Sequence, residues 1–180
     1  MTGSALTLAP AGTWQLDPTH STVGFEVPYL PGTFRGRFHE IEGALDVSED
    51  GAALNGSAKV ASVDVRDENL AAHLRSPDFF DAERHPELRF SANEIELDGE
   101  AVQVRGEVTI KGVTKPVDVE GTVTAPLTDS HGNERVGLRL STTVDRTDFG
   151  VSWNMDLPAG GPALGNDVTI VAELYFVKAA

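Results

Sequence analysis

The chain has 180 residues, of which 40% are hydrophobic and 23% charged, and its 28 Asp and Glu against 14 Lys and Arg give a formal net charge of −14. This length and composition are those of one globular domain with a substantial core. The acidic balance disfavours nucleic acids and anionic membranes as partners, because both attract clustered Lys and Arg. The lack of cysteine excludes disulfides, zinc-thiolate sites and thiol nucleophiles.

The N-terminal residues 1–12 have neither the basic start nor the apolar run of about 7–15 residues that a secretory signal requires. We therefore expect a flexible leader at 1–12, a single domain at 13–180 and a cytoplasmic location. No stretch approaches the roughly 20 apolar residues that span a bilayer, so no transmembrane segment is predicted.

The first part of the domain alternates between apolar and polar residues with a period of two, which is typical of half-buried strands. On this pattern we predict strands at 13–17, 21–27, 34–47 and 55–65. Turn residues such as those at 49–51 separate them.

One region has helical spacing instead. Leu70, Ala71 and Leu74 have helical spacing, and the acidic residues Asp67 and Glu68 lie in the first turn. Ser76, followed by proline, is typical of the start of a second short helical turn. We predict a short helical segment near 67–80.

Alternation resumes after this segment and predicts strands at 87–97, 102–110, 117–125, 136–144 and 168–177. Asp98-Gly99 and Lys111-Gly112 are typical of tight hairpin turns between such strands. The last strand is largely apolar on both faces, so we expect both faces to be covered.

Strands joined by tight turns, without intervening helices, predict an antiparallel sheet. With at least eight strands, a sandwich and a closed barrel are the two serious options. The strands are long, and closure removes the exposed edge that long strands would otherwise leave. The pattern therefore predicts an all-β fold with one short helical segment, and it favours an antiparallel closed barrel over a sandwich.

Residues that could carry catalysis or bind metal are scattered. The five histidines, His20, His39, His73, His85 and His131, show no metal-ligand spacing. The sequence also has no Gly-x-Ser-x-Gly elbow and no Gly-rich phosphate loop. We predict no metal, no cofactor and no catalytic residue.

Charged residues do cluster beside the helical segment, where acidic residues from Asp78 to Glu87 alternate with arginines. Alternating signs are more typical of a solvated, ion-paired surface than of an acid-base site. An alternative function nevertheless remains, that of a small hydrolase or isomerase whose acid-base groups are His73, Asp78, Asp81 and His85.

Five segments carry a more specific signal: 17–25 (DPTHSTVGF), 35–38 (RGRF), 73–81 (HLRSPDFFD), 106–116 (GEVTIKGVTKP) and 145–151 (DRTDFGV). Together, and in this order, they resemble the YceI-like family over nearly the whole chain. The resemblance implies a lipocalin-like eight-stranded barrel with a short helix near one end. It also implies a long apolar tunnel that holds a polyisoprenoid or a similar long-chain amphiphile.

One segment departs from this resemblance. Many relatives are exported, and they often have a basic or His-containing stretch after the first strand. This chain has Pro28-Tyr29-Leu30-Pro31-Gly32 there. The departure concerns one mouth of the cavity and therefore the head group that the cavity accepts.

The predicted inner faces are rich in Val, Ala and Gly, and small residues in an eight-stranded barrel favour a cavity. We therefore predict that the protein binds and carries a long isoprenoid (a diphosphate or a quinone) or a fatty lipid, without chemistry. A homodimer formed through the last strand is a further possibility for partners. The predicted ligand-binding residues are rings in the tunnel or its mouth and polar groups near the helical segment: Phe25, Phe38, Phe79, Phe80, Phe90, Phe149 and Trp153, with Asn69, His73, Arg75 and Lys111.

Overall fold

A computed structural model describes residues 9–179, apart from the side chain of Ala125. Residues 1–8 of the expected leader lie outside this range. Of the rest of that segment, Ala9 is buried in the core and Gly12 begins the first strand. Within the described range, no helix combines the length and the hydropathy needed to cross a membrane.

The described chain contains eleven strands and one α-helix. The helix α1 spans Glu68–Arg75, and 3-10 turns lie at Val60–Ser62 and Arg146–Phe149. The strands, in chain order, are β1 (Gly12–Leu16), β2 (Thr22–Tyr29), β3 (Gly32–Phe38), β4 (Ile41–Ser48), β5 (Gly51–Lys59), β6 (Val63–Asp64), β7 (Glu87–Asp98), β8 (Ala101–Ile110), β9 (Val113–Thr128), β10 (Glu134–Asp145) and β11 (Asp167–Lys178).

Eight of these strands close into an antiparallel barrel in the order β1, β4, β5, β7, β8, β9, β10 and β11, and β11 pairs back onto β1. The long β11 pairs with β1 near its C-terminal end, where Phe176 faces Leu16, and with β2 near its N-terminal end, where Ile170 faces Phe25. Through β2, the sheet continues into β3 and β6. The predicted closed eight-stranded barrel with a short helix is confirmed.

Two predicted strands are interrupted in the structure. The predicted strand 34–47 breaks at His39 and Glu40, because β3 pairs with β2 whereas β4 pairs with β1 and β5. At the break the His39 N–H donates to the Ser62 carbonyl, and the 3-10 turn at Val60–Ser62 interrupts the predicted strand 55–65. The expectation of continuous strands here was wrong because the sheet changes partners at this corner.

The expectation that both faces of the last strand are covered was wrong at one position. Tyr175 lies on the outer face of β11 beside Gly137, and it is 41% exposed. The inner face is covered, since Leu174 and Phe176 are buried in the core.

The helix α1 begins as expected but ends before the second predicted turn. The Asp67 carboxylate accepts a hydrogen bond from the Leu70 N–H at 3.0 Å and caps the helix. After Arg75 the chain forms hydrogen-bonded turns in which the Ser76 carbonyl accepts from the N–H groups of Phe79 and Asp81. The predicted second helical turn is therefore wrong, because residues 77–80 form hydrogen-bonded turns and no second helix.

The buried core forms two clusters, one toward each end of the barrel. At the end away from α1, the fully buried Trp14, Leu45, Val102, Val136 and Phe176 fill the interior. At the end near α1, called here the helix end, a second apolar cluster includes residues of the helix, of the β8–β9 hairpin and of segment 146–166. Because side chains occupy the first end, called here the filled end, a ligand site can form at the helix end.

An ion-pair network ties the turns of the filled end together. Arg135 donates from Nη1 to Asp17 Oδ2 at 2.9 Å and from Nε to Asp129 Oδ2 at 2.6 Å, and His20 Nδ1 lies 2.6 Å from Asp17 Oδ2. Hydrogen bonds from His20, and then from Arg135 and the Thr19 N–H, lower the pKa of Asp17 to about 2. Arg135 likewise holds the pKa of Asp129 well below its usual range. The network therefore stabilises the fold through ionised carboxylates.

Candidate ligand-binding cavity

The barrel encloses a cavity of about 610 Å³. Inward-facing side chains on several strands border it and are only half-buried, because one side of each faces this space. The wall is almost entirely apolar, and its aliphatic members include Leu16, Val23, Leu54, Val108, Val117, Val144, Ile170 and Ala172. Such a wall suits a long hydrocarbon and offers little to a polar solute.

Glycines on the inner face help to make this space. Gly43 of β4 and Gly56 of β5 face each other across the strand pair, and Gly56 also pairs with Phe90 of β7. All three residues line the cavity. Two adjacent positions without side chains leave room beside the Phe90 ring that aliphatic residues would otherwise fill.

An aromatic cluster bounds the cavity where β2 and β3 approach the segment after α1. The ring centroid of Phe80 lies 6.1 Å from that of Phe25 and 5.8 Å from that of Phe38, in edge-on arrangements. Phe25 and Phe38 are themselves 5.9 Å apart. These distances are favourable for aromatic pairs, so the three rings form a packed wall.

A second aromatic cluster includes a polar group. The His73 ring of α1 meets Phe79 and Trp153 edge-on, with centroids 4.9 and 4.8 Å away. His73 Nε2 also lies 3.1 Å from Asp78 Oδ2. All of these rings line the cavity. The contacts join α1, the turn after it and segment 151–166 at the helix end.

Lys111 links the same parts through their backbones. It lies in the β8–β9 turn with Gly112, and both residues have positive φ, 52° and 78°, as a type I′ hairpin requires. Its Nζ donates to the carbonyl of Pro77 at 2.6 Å and to the carbonyl of Gly150 at 3.3 Å. Lys111 therefore links the β8–β9 hairpin to the turn after α1 and to the end of the 3-10 turn at Arg146–Phe149.

Eight of the eleven predicted ligand-binding residues lie on the cavity wall: Phe25, Phe38, His73, Phe79, Phe80, Phe90, Phe149 and Trp153. Asn69 is exposed on the outer side of α1, and Arg75 pairs with Glu68 at 2.7 Å. Both lie off the face of the helix that carries Leu70 and Leu74 into the cavity. Lys111 binds backbone carbonyls, and a ligand-binding role stays a prediction for all eleven.

The groups of the alternative acid-base site are not assembled around the cavity. Among the four, His73 alone lines it in the part of the chain that the structure describes. Asp81 is buried in the turn after α1, where its carbonyl accepts from the His85 N–H and its carboxylate lies 4.0 Å from Arg84. Across residues 9–179, no three His, Asp or Glu side chains come together as metal ligands.

One cavity-wall residue that the sequence reasoning missed is Arg146. It is 5% exposed, and it donates to three carbonyls of the following segment: Gly165 at 2.8 Å, Val151 at 2.7 Å and Trp153 at 2.9 Å. Its Nη2 is covered and has no acceptor among the described residues. Burial lowers the pKa of this guanidinium, while the nearby Asp145 acts in the opposite direction.

The sequence did contain a signal for this residue. The inward positions of β10 are even-numbered up to Val144, so continued alternation points Arg146 inward as well. Arg146 holds segment 151–166 against the helix end, and it brings a positive charge to a wall that is almost entirely apolar.

Comparison with known proteins gives a consistent result. A family model described as a YceI-like domain matches residues 14–176. A UPF0312 protein of Photorhabdus laumondii is 32% identical over 134 residues, which cover 72% of this chain and 70% of that protein.

Two solved structures share the fold. BcnA of Burkholderia cenocepacia matches with a TM-score of 0.76 at 21% identity, covering 89% of this chain and 98% of BcnA. A polyisoprenoid binding domain from Saccharophagus degradans, implicated in plant cell wall breakdown, matches with a TM-score of 0.71 at 14% identity, covering 92% and 98%. At these identities, the two matches show the common fold.

Proposed function

Since the chain belongs to the YceI-like domain family, we propose that it binds and carries a long-chain amphiphilic lipid, a polyisoprenoid, inside the barrel. The observation that carries this proposal is the cavity of about 610 Å³ inside the barrel with its apolar wall. The shared fold with a solved polyisoprenoid binding domain supports the choice of ligand class.

The cavity is large enough to matter for stability. At about 24 cal/mol per Å³, 610 Å³ of unfilled apolar space would cost about 15 kcal/mol. That cost equals the upper end of a typical domain's stability of about 5–15 kcal/mol. An apolar ligand that fills the space therefore stabilises the folded protein.

Binding is driven by the tail. Each buried methylene contributes about 0.8 kcal/mol, which is about a fourfold gain in affinity. About ten buried methylenes then contribute about 8 kcal/mol, the free energy of a micromolar complex. The head group sets orientation and selectivity, because the tail supplies most of the affinity.

The head group of the ligand lies at the helix end in this proposal. The opposite end is filled by side chains, whereas the helix end carries the polar His73, Lys111 and Arg146. An isoprenoid diphosphate or an isoprenoid quinone offers acceptors for such donors. The protein carries the ligand without changing it.

The proposal is tested by titrating delipidated protein with isoprenoid alcohols of increasing length, in competition with a fluorescent farnesyl probe. We expect saturable binding of one ligand, with affinity that rises with each added isoprene unit until the cavity is filled and then levels off. Absence of saturable binding, or affinity that does not depend on chain length, would refute the proposal.

A further inference from the structure

Exposed large apolar side chains gather at one place on the helix end. Five such residues occur among residues 9–179, and three of them are Tyr29, Leu30 and Met155, at 38%, 48% and 50% exposure. The Leu30 N–H donates to the Ala163 carbonyl at 2.8 Å, and the Ala163 N–H donates to the Met155 carbonyl at 2.8 Å. We call Tyr29, Leu30 and Met155 the mouth rim.

The mouth rim is continuous with the cavity. Tyr29 and Met155 line the cavity and are also exposed to solvent. Tyr29 pairs with Leu164, which lines the cavity too. The interior therefore reaches the surface between the tip of the β2–β3 hairpin and segment 151–166.

Leu30 occupies a position that does not favour leucine. It is the first of the two residues between the paired Tyr29 and Gly32, and its φ is 55°. Glycine or asparagine is preferred where φ is positive. The hairpin thus accepts local backbone strain at the residue that presents an apolar side chain to water.

The surface around the mouth rim is almost uncharged. Residues 27–34 contain no charged residue, and residues 151–166 contain Asp156 alone, in a chain of which 23% of residues are charged. Almost all of the formal net charge of −14 therefore comes from residues outside these two segments. An uncharged apolar surface on an acidic protein is complementary to a zwitterionic bilayer surface and is repelled by an anionic one.

We propose that the mouth rim docks on a zwitterionic lipid bilayer, so that the ligand moves between membrane and cavity without crossing water. This inference rests on the proposed function. Each methylene that must pass through water slows transfer by about fourfold. A direct passage across the mouth rim avoids that barrier, because the tail stays in apolar surroundings.

The test is the stopped-flow transfer of a fluorescent farnesyl probe from the loaded protein to phosphatidylcholine vesicles. We expect a transfer rate that increases with vesicle concentration, as collision requires. Leu30→Asp should slow transfer by at least about tenfold, since a fully buried leucine favours an apolar phase over water by a factor of about ten to one hundred. Its Kd for the probe should stay within twofold of wild type, because Leu30 does not line the cavity.

Two variants serve as controls. Leu127→Asp makes the same change at a leucine that is 57% exposed on β9, away from the cavity, and should leave the rate unchanged. Leu30→Asn places at position 30 a polar residue that tolerates positive φ, and it should slow transfer as well.

The outcomes separate this inference from the proposed function. If the wild type does not bind the probe, the proposed function fails. If it binds the probe but transfers it at a rate independent of vesicle concentration, or if Leu30→Asp transfers as fast as wild type, the docking inference is overturned and the binding function stands. Faster transfer to vesicles that contain phosphatidylglycerol would overturn the choice of a zwitterionic bilayer as the docking partner. If the wild type is a dimer and Leu30→Asp dissociates it, the mouth rim is instead a contact with a second copy of the chain.

Discussion

Replacing Gly56 with phenylalanine tests whether the barrel interior is the ligand site. Gly56 lies on the inner face of β5, opposite Gly43 and beside Phe90. A Cβ at this position would approach only the Glu42 carbonyl within 4 Å, at an ordinary contact distance of 3.4 Å. The backbone therefore accepts a side chain, and the ring points into the cavity.

The size of the effect follows from the atoms that the ring displaces. A benzyl group brings seven carbons into a cavity of about 610 Å³. If each carbon excludes one methylene of the ligand at about 0.8 kcal/mol, binding weakens by about 6 kcal/mol, or by about four orders of magnitude in Kd. The free energy of unfolding of the delipidated variant should increase by about 1.5–3 kcal/mol, because the ring is itself buried.

The assay pairs probe titration with urea unfolding on the same preparations. Asn55→Phe is the matched control: Asn55 borders the cavity beside Gly56, but its side chain alternates to the outer face of β5 and is exposed. We expect Asn55→Phe to bind the probe like wild type. Wild-type affinity in a folded Gly56→Phe variant would refute the claim that the ligand lies in the cavity.

Three further predictions concern charged groups. Arg146→Met should lower the free energy of unfolding in urea by about 3 kcal/mol, since three carbonyls lose their donor; unchanged stability would contradict its role in holding segment 151–166. The pKa of Asp17 is lowered to about 2 by His20 and Arg135, so its contribution to stability is present above about pH 4 and is lost as the pH falls toward 2. Asp17→Asn should therefore be less stable than wild type at pH 7 and close to it at pH 2 in urea unfolding, whereas Asp118→Asn, at a side chain 89% exposed, should show no such convergence. Lys111→Met removes the contacts to two backbone carbonyls at the helix end, and we expect stopped-flow release of the farnesyl probe to become several-fold faster; a release rate equal to that of wild type would show that this link does not restrain the cavity.

The strands of the barrel could be predicted because each has one face toward the barrel interior. In β8, for example, Val102 and Val104 are buried while Gln103 and Arg105 are exposed. The break between β3 and β4 was missed because it depends on which strand pairs with which. One local signal exists: the buried residues Phe38 and Ile41 are three apart, so the alternation shifts where the partners change.

The cavity was only partly predictable. Aromatic residues such as Phe80 and Phe90 could be assigned to it because of their size and position near the helical segment. Alternation distinguishes inward from outward but says nothing about depth along the barrel. It therefore could not separate Val108, on the cavity wall, from Val102 of the same strand, in the filled end. Arg146 was missed because a charged residue at an inward position is unusual without a visible partner.

The proposed function requires that the barrel interior hold a long apolar ligand. The most direct test is organic extraction of several independent preparations of the purified protein, followed by mass spectrometry of the extract and native mass spectrometry of the intact protein. We predict close to one long-chain isoprenoid or related lipid per chain, and its loss in Gly56→Phe but not in Asn55→Phe. Folded protein that is consistently free of lipid and takes up none when isoprenoids are added would contradict the account.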